Sequence, residues 1–137
     1  MHIAIAGNIG SGKTTLAGLM GKALGFAVEY EDPTTNPYIY DFYSDMQRWA
    51  FNMQVFFLNQ RLRSTIQIQQ SGKDTVQDRT LYEDAEIFAP NLQAMGLMAQ
   101  RDFDTYNMMY EVMTELVQPP DLVIYLRASI SGLVDQI

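Results

Sequence analysis

At 137 residues the chain suffices for one domain with one core, and its 47% apolar content excludes an intrinsically disordered protein. The absence of cysteine excludes a disulfide framework and a thiolate metal site, and suits a cytoplasmic protein. A net charge of −7 argues against a nucleic-acid polymer as partner, and no apolar run reaches the ~18 residues of a membrane helix.

Ile3-Ala4-Ile5-Ala6 is an apolar run suited to a buried parallel strand, and it leaves no room for a signal peptide before it. Gly7-Asn8-Ile9-Gly10-Ser11-Gly12-Lys13-Thr14 then fills every fixed position of the phosphate-binding loop G-x-x-x-x-G-K-[ST]. Leu16, Leu19, Met20, Ala23 and Leu24 recur on one helical face, and Gly25 stands where that helix should end. The loop therefore joins a strand to a helix N-terminus. Its glycines let backbone N–H groups turn toward a phosphate, and the helix dipole adds partial positive charge. Lys13 is placed to reach β- and γ-phosphates, and the Thr14 hydroxyl to hold Mg²⁺. With Thr15 behind it, the loop forms the candidate ATP site.

Residues 26–31 read as a second strand that closes on the acids Glu29 and Glu31. Asp32-Pro33-Thr34-Thr35-Asn36-Pro37 is turn chemistry, with Asn36 as N-cap and Pro37 opening a short helix over 38–43. Ser44 and Gln47 resemble a capping box. No Gly or Pro interrupts the chain from there to about Gln70, which predicts one long helix. Met46, Trp49, Ala50, Met53 and Phe57 make one apolar stripe, and Phe51, Val55, Leu58 and Leu62 make a second. Gln47, Gln54 and Arg61 recur every seventh residue between them. Spacing alone leaves two readings for these, a solvent-facing stripe or a buried polar set that needs partners.

Residues 74–77 form a weak third strand by propensity, followed by Asp78-Arg79-Thr80. Residues 81–95 read as helical with a kink at Pro90. Asp102 or Asp104 would cap the next helix, whose apolar face is Tyr106, Met109, Tyr110, Met113, Leu116 and Val117. Pro119-Pro120 stops it, and residues 121–126 form a fourth strand. Ile130, Leu133, Val134 and Ile137 begin another amphipathic helix. Strands alternating with helices imply a parallel α/β sheet.

Three polar residues at strand ends offer chemistry beyond phosphate binding. A carboxylate at Glu31 would take a proton from an attacking hydroxyl, or simply be a solvated strand-end acid. Asp78 would support Mg²⁺ and Arg79 would neutralise phosphoryl charge, or the two would form a surface ion pair.

Taken together, the chain resembles the deoxyribonucleoside kinases, in particular the bacterial deoxyadenosine/deoxyguanosine kinase branch. The resemblance rests on the phosphate loop, the Glu31 region through Asn36-Pro37-Tyr38, residues 49–61, Gln77-Asp78-Arg79-Thr80 through Phe88, and residues 121–129. It implies a P-loop kinase three-layer α/β fold with sheet order 2-3-1-4, over a single domain at 1–137. It also implies that a fifth strand, a final helix and an arginine-rich lid are missing. The implied reaction is ATP- and Mg²⁺-dependent phosphorylation of a deoxynucleoside 5′-hydroxyl, purine favoured, by a cytoplasmic homodimer. Glu31 is then the base and Arg79 lies near the transferred group. Tyr43 binds the 3′-hydroxyl, Gln54 reads the base edge with Arg61 and Asp84, and Met53 and Phe88 sandwich the base. The family has Glu-Pro where this chain has Glu31-Asp32-Pro33; the spacing to Asn36 selects Glu31, with Asp32 as its competitor. Two rivals remain. A nucleoside monophosphate kinase would need more basic residues for an acceptor phosphate. A regulatory nucleotide-binding domain would leave Gln54, Arg61 and Asp84 facing solvent.

Overall fold

The computed structural model describes residues 1–7, 12–30 and 32–126. Strand β1 (His2–Gly7) is buried along its whole length, because it pairs in parallel on both sides. One neighbour is β3 (Thr75–Asp78), in the register Ile3↔Val76 and Ile5↔Asp78; the other is β4 (Leu122–Leu126), with Ile3↔Leu122 and Gly7↔Leu126. Strand β2 (Ala27–Glu29) adds to the far side of β3, giving the expected order β2-β3-β1-β4. This central placement explains why β3 is a strand despite its polar sequence. Its backbone groups pair on both sides, and its Gln77 side chain accepts a 2.7 Å hydrogen bond from His2 Nε2. Among the described residues β4 pairs with β1 alone, and Leu122, Val123 and Tyr125 on it are exposed.

The chain divides into two compact units. The first comprises the described parts of Met1–Glu31, Gln67–Thr80 and Pro119–Ile137, and holds the sheet with α1 (Lys13–Leu24). Leu16, Ala17 and Met20 of α1 pack on Ile3, Ile5, Val28 and Val76. Gly21 permits the close approach, since a Cβ there would stand 2.2 Å from a methyl of Val28.

The second unit comprises Asp32–Ile66 and Leu81–Gln118. A 3₁₀ turn (Pro33–Thr35) leads to α2 (Ile39–Ser44) and then α3 (Met46–Ser71), whose last residues belong with the first unit. The two apolar stripes of α3 enter different clusters. Ala50, Met53 and Phe57 join Phe42 and Met98, while Leu58 with Phe51, Val55 and Leu62 joins Leu81, Ala85, Ala89, Tyr106 and Val117. Burying a side chain such as Leu58 completely stabilises the unit by about 1.5–3 kcal/mol. Met46, in the first turn of α3, is exposed and belongs to neither cluster.

Residues 81–95 are helical but not uniform. They run as α4 (Leu81–Glu83), a π-helical turn (Asp84–Phe88) and α5 (Ala89–Ala94). The wide turn ends two residues before Pro90, which has no amide hydrogen to give the carbonyl four residues back.

Helix α6 (Gln100–Glu115) packs Tyr106, Met109, Tyr110 and Met113 on the core. Leu116, expected on that face, is exposed just past the helix end. Asp102 and Asp104 do not cap it, because the helix starts earlier, behind Ala99. Asp102 falls instead in the first turn, where its charge suits the helix dipole. The capping box at Ser44 also gives way. Asp45 Oδ1 accepts from the Arg48 amide at 3.2 Å, while the Ser44 hydroxyl donates back to the Tyr40 carbonyl. No described helix is long and apolar enough to cross a membrane. The amphipathic stretch at 130–137 lies outside the described residues.

Candidate active site

The first unit gathers the phosphate-side residues at the ends of β1 and β3. Gly12 stands before α1 with φ 92°, in the left-handed region that glycine tolerates, and so turns the chain into the helix. Lys13, the first helical residue, is buried and donates from Nζ to the Gly7 carbonyl at 2.8 Å. The side chain thus reaches back to the first residue of the motif. Thr15 is exposed on α1. Asn8, Ile9, Gly10 and Ser11 lie outside the described residues, as does Glu31.

Thr14 and Asp78 come together as the sequence suggests. The Thr14 hydroxyl donates to Asp78 Oδ2 at 2.8 Å. Asp78 is buried, yet its Oδ1 has no hydrogen-bond partner among the described residues. A buried carboxylate oxygen left in that state is costly, and a cation offers one remedy. A hydroxyl and a carboxylate in contact are hard oxygen ligands that fit Mg²⁺, an ion usually held by one or two protein groups beside phosphate and water. Accordingly, no cluster of three or more acidic or histidine side chains is needed, and none occurs among the described residues.

Arg79 follows β3 directly. Its amide donates to the Ile5 carbonyl at 3.1 Å, and its φ of 72° is the only positive value among the described non-glycine residues. Holding a bulky side chain there costs of order 1–3 kcal/mol, a strain that clusters at functional sites. Asp32 is differently employed. Its Oδ1 accepts from the Thr34 amide at 3.1 Å and the Thr34 hydroxyl at 2.5 Å, capping the 3₁₀ turn.

The second unit holds the acceptor-side residues. Gln54 and Arg61 are not a solvated stripe: Gln54 is 3% exposed and Arg61 6%, whereas Gln47, two turns earlier, is exposed. Arg61 Nε lies 3.4 Å from Oδ2 of Asp84, which is 0% exposed, and its guanidinium sits 5.1 Å over the Phe57 ring. Removing one partner of such a pair would leave the other charge buried. The Gln54 oxygen is buried with no hydrogen-bond partner among the described residues. An amide so placed is a ready acceptor, beside its own donor, for a ligand edge.

Asp84 opens the π-helical turn and Phe88, half-buried, closes it. Turns of this kind recur at functional sites, because the extra residue re-aims the side chains around it. Met53 packs inside the cluster with Phe42, Ala50, Phe57 and Met98. Tyr43 is 67% exposed on α2, its ring tilted against Phe42.

Three buried polar residues were not singled out by sequence reasoning for this site. Thr80 and Glu83 are buried beside Arg79 and Asp84 in sequence, and Asn36 is 1% exposed. The adjacent acids Glu83-Asp84 in an otherwise apolar stretch were a usable signal for the second. For Asn36, read as a cap and as a landmark of the resemblance, nothing local announces its burial.

The protein-family model described as deoxynucleoside kinase matches residues 3–137. The chain is 39% identical to the deoxyadenosine/deoxycytidine kinase of Bacillus subtilis (strain 168), over 98% of this chain and 63% of that protein. It is 41% identical to the deoxyadenosine kinase of Dictyostelium discoideum, over 93% of this chain and 52% of that protein. It therefore spans between about half and less than two thirds of the length of these relatives. Among solved structures it is similar to the deoxyadenosine kinase from M. mycoides with the products dCMP and a flexible dCDP bound. That likeness has a TM-score of 0.87 at 32% identity and covers 99% of this chain and 69% of the other. The same kinase with bound dATP matches at a TM-score of 0.84 and 33% identity, over 99% and 69%.

Proposed function

The chain belongs to the deoxynucleoside kinase family, and from that premise we propose that it transfers the γ-phosphoryl group of ATP to the 5′-hydroxyl of a deoxynucleoside. The observation that carries this reading is the buried set Gln54, Arg61 and Asp84, an acceptor-side constellation that a bare nucleotide switch has no use for. The regulatory-domain rival requires those side chains in solvent. The monophosphate-kinase rival requires cations for an acceptor phosphate, yet the one arginine in this set already faces a carboxylate.

The roles follow from the chemistry of each group. Lys13 and the loop amides at Gly7, Asn8, Ile9, Gly10, Ser11, Gly12, Thr14 and Thr15 bind the triphosphate. Thr14 and Asp78 would hold Mg²⁺, which when bound neutralises charge on the phosphates. Glu31 accepts the 5′-hydroxyl proton as that oxygen forms its bond to the γ-phosphorus and the bond to the ADP oxygen breaks. The capping duty of Asp32 supports Glu31 over its neighbour in this role. Arg79 stabilises charge on the moving group. Gln54, with Arg61 and Asp84 behind it, reads the base; Met53 and Phe88 flank it, and Tyr43 binds the sugar 3′-hydroxyl. The proposal extends to a single kinase domain acting as a cytoplasmic homodimer without membrane or nucleic-acid partners, and to a purine deoxynucleoside, a choice supported by the deoxyadenosine kinase of Dictyostelium discoideum among its relatives.

A panel of deoxynucleosides and deoxynucleoside monophosphates, incubated with ATP and Mg²⁺ and resolved by ion-exchange chromatography, tests the reading on the intact protein. Deoxyadenosine or deoxyguanosine should be converted to its 5′-monophosphate fastest. Phosphorylation of monophosphates alone would transfer the case to the first rival. ATP hydrolysis with no acceptor product would transfer it to the second.

A further inference from the structure

Asn36 is the most deeply buried amide side chain among the described residues, and both of its ends are used. Its Nδ2 donates to the Met53 carbonyl in the middle of α3 at 3.1 Å, and its Oδ1 accepts from the Tyr38 amide at the entry to α2 at 2.9 Å. A carbonyl on one side and an N–H on the other leave the amide a single satisfying orientation. Two neighbours reinforce the same junction. Gln60 of α3 donates from Nε2 to the Thr35 hydroxyl at 2.9 Å, and the Tyr38 ring stacks on Trp49 of α3 with centroids 5.7 Å apart. Residues 35, 36 and 38 are thus strapped to residues 60, 53 and 49 of one helix, all within the second unit.

The strap lies between two residues assigned to the deoxynucleoside. Met53, whose carbonyl takes the bond, immediately precedes Gln54, and α2 carries Tyr43. α2 has only six residues, too few to hold its own place, so its position on α3 must come from tertiary packing. We propose that Asn36 is a positioning residue, clamping α2 to the middle of α3 and fixing the spacing between Tyr43 and Gln54 for a deoxynucleoside. This rests on the acceptor-site reading above. Rigid support of this sort matters because a binding group displaced by even about 1 Å can weaken recognition severely.

The test is Asn36→Ser in the intact protein. Serine keeps an oxygen for the Tyr38 amide but is too short for the Met53 carbonyl, so the turn survives and the strap is cut. The KM for deoxyadenosine should rise about tenfold while the KM for ATP changes less than twofold. Gln54→Ala serves as the reference. If it leaves the deoxyadenosine KM unchanged, the acceptor-site reading itself fails. If it raises that KM while Asn36→Ser lowers only the melting temperature, Asn36 is merely structural and the inference is overturned. Should Asn36→Ser not fold, Gln60→Ala cuts the exposed strap instead. A rise of about threefold in the deoxyadenosine KM is then expected, and an unchanged value overturns the proposal.

Discussion

In the sheet-bearing unit, Lys13 closes onto the carbonyl of Gly7 inside its own loop motif, and Thr14 onto the end of a neighbouring strand. In the helical unit, Arg61 meets Asp84 from a different helix, and the Gln54 oxygen has no hydrogen-bond partner among the described residues. The difference follows from what each region is proposed to bind. A triphosphate is the same in every nucleotide, so backbone amides and one lysine in a short contiguous motif suffice. A base differs from ligand to ligand, and must be met by side chains brought from several elements and held in place by packing. Damage to the first region should therefore fall on turnover, and damage to the second on acceptor affinity.

The largest effect is expected at Glu31. Glu31→Gln keeps the shape of the side chain but cannot take the proton, so kcat should fall about 10³-fold with little change in deoxynucleoside affinity. Asp32→Asn, which disturbs only a turn cap, should cost far less; the reverse ranking in steady-state kinetics would shift the base by one residue. Next is Lys13→Ala, expected to reduce kcat by ~10²–10³ with the far-ultraviolet circular dichroism preserved. Near-normal turnover would remove the phosphate-loop assignment.

A subtler expectation concerns Asp78. Asp78→Asn retains an acceptor for the Thr14 hydroxyl but lowers the charge offered to a cation. The Mg²⁺ concentration for half-maximal rate should rise about tenfold, and an unchanged Mg²⁺ titration would take the metal role from this residue.

The smallest effect is one of pH on stability. Burial holds the His2 imidazole below its ordinary pKa of 6.5, against the opposing influences of Gln77 and Asp121. As pH falls, the unfolded chain therefore takes up this proton before the folded one. The contribution of His2 to stability is present above pH 6.5 and is lost on acidification from there toward its lower folded-state value. A single proton limits the slope to about 1.4 kcal/mol per pH unit. Urea midpoints between pH 7.5 and 5.5 should drift downward in the parent and less so in His2→Gln, which can still bond Gln77. Equal drift in both would place the titrating group elsewhere.

How much of the molecule is legible in its sequence follows the same division. The phosphate loop and the first strand are written in contiguous patterns, and the structure reproduces that strand and the helix that the loop opens; the strand order, expected only from the family resemblance, is reproduced as well. The two stripes of α3 are readable because helical periodicity reports which residues share a face, and they do enter separate clusters. Periodicity cannot say whether Gln54 and Arg61 meet protein or water, since that depends on what packs opposite. The caps at Ser44 and Asp102 fail for a local reason. Asp45 and an earlier helix start offer competing ends within a few residues, and packing chooses between them. The positive φ of Arg79 and the clamp at Asn36 leave no trace in composition or spacing, because both are set by long-range interactions.

The most direct test of the division of labour is calorimetric titration of the intact parent and of Gln54→Ala with deoxyadenosine and, separately, with a non-hydrolysable ATP analogue. Removing a polar partner so that buried groups stay unmatched costs ~1–3 kcal/mol, or roughly ten- to hundredfold in affinity. The account predicts that loss for deoxyadenosine, with the ATP analogue binding within twofold of the parent. Unchanged deoxyadenosine binding, or equal weakening of both ligands, would contradict it.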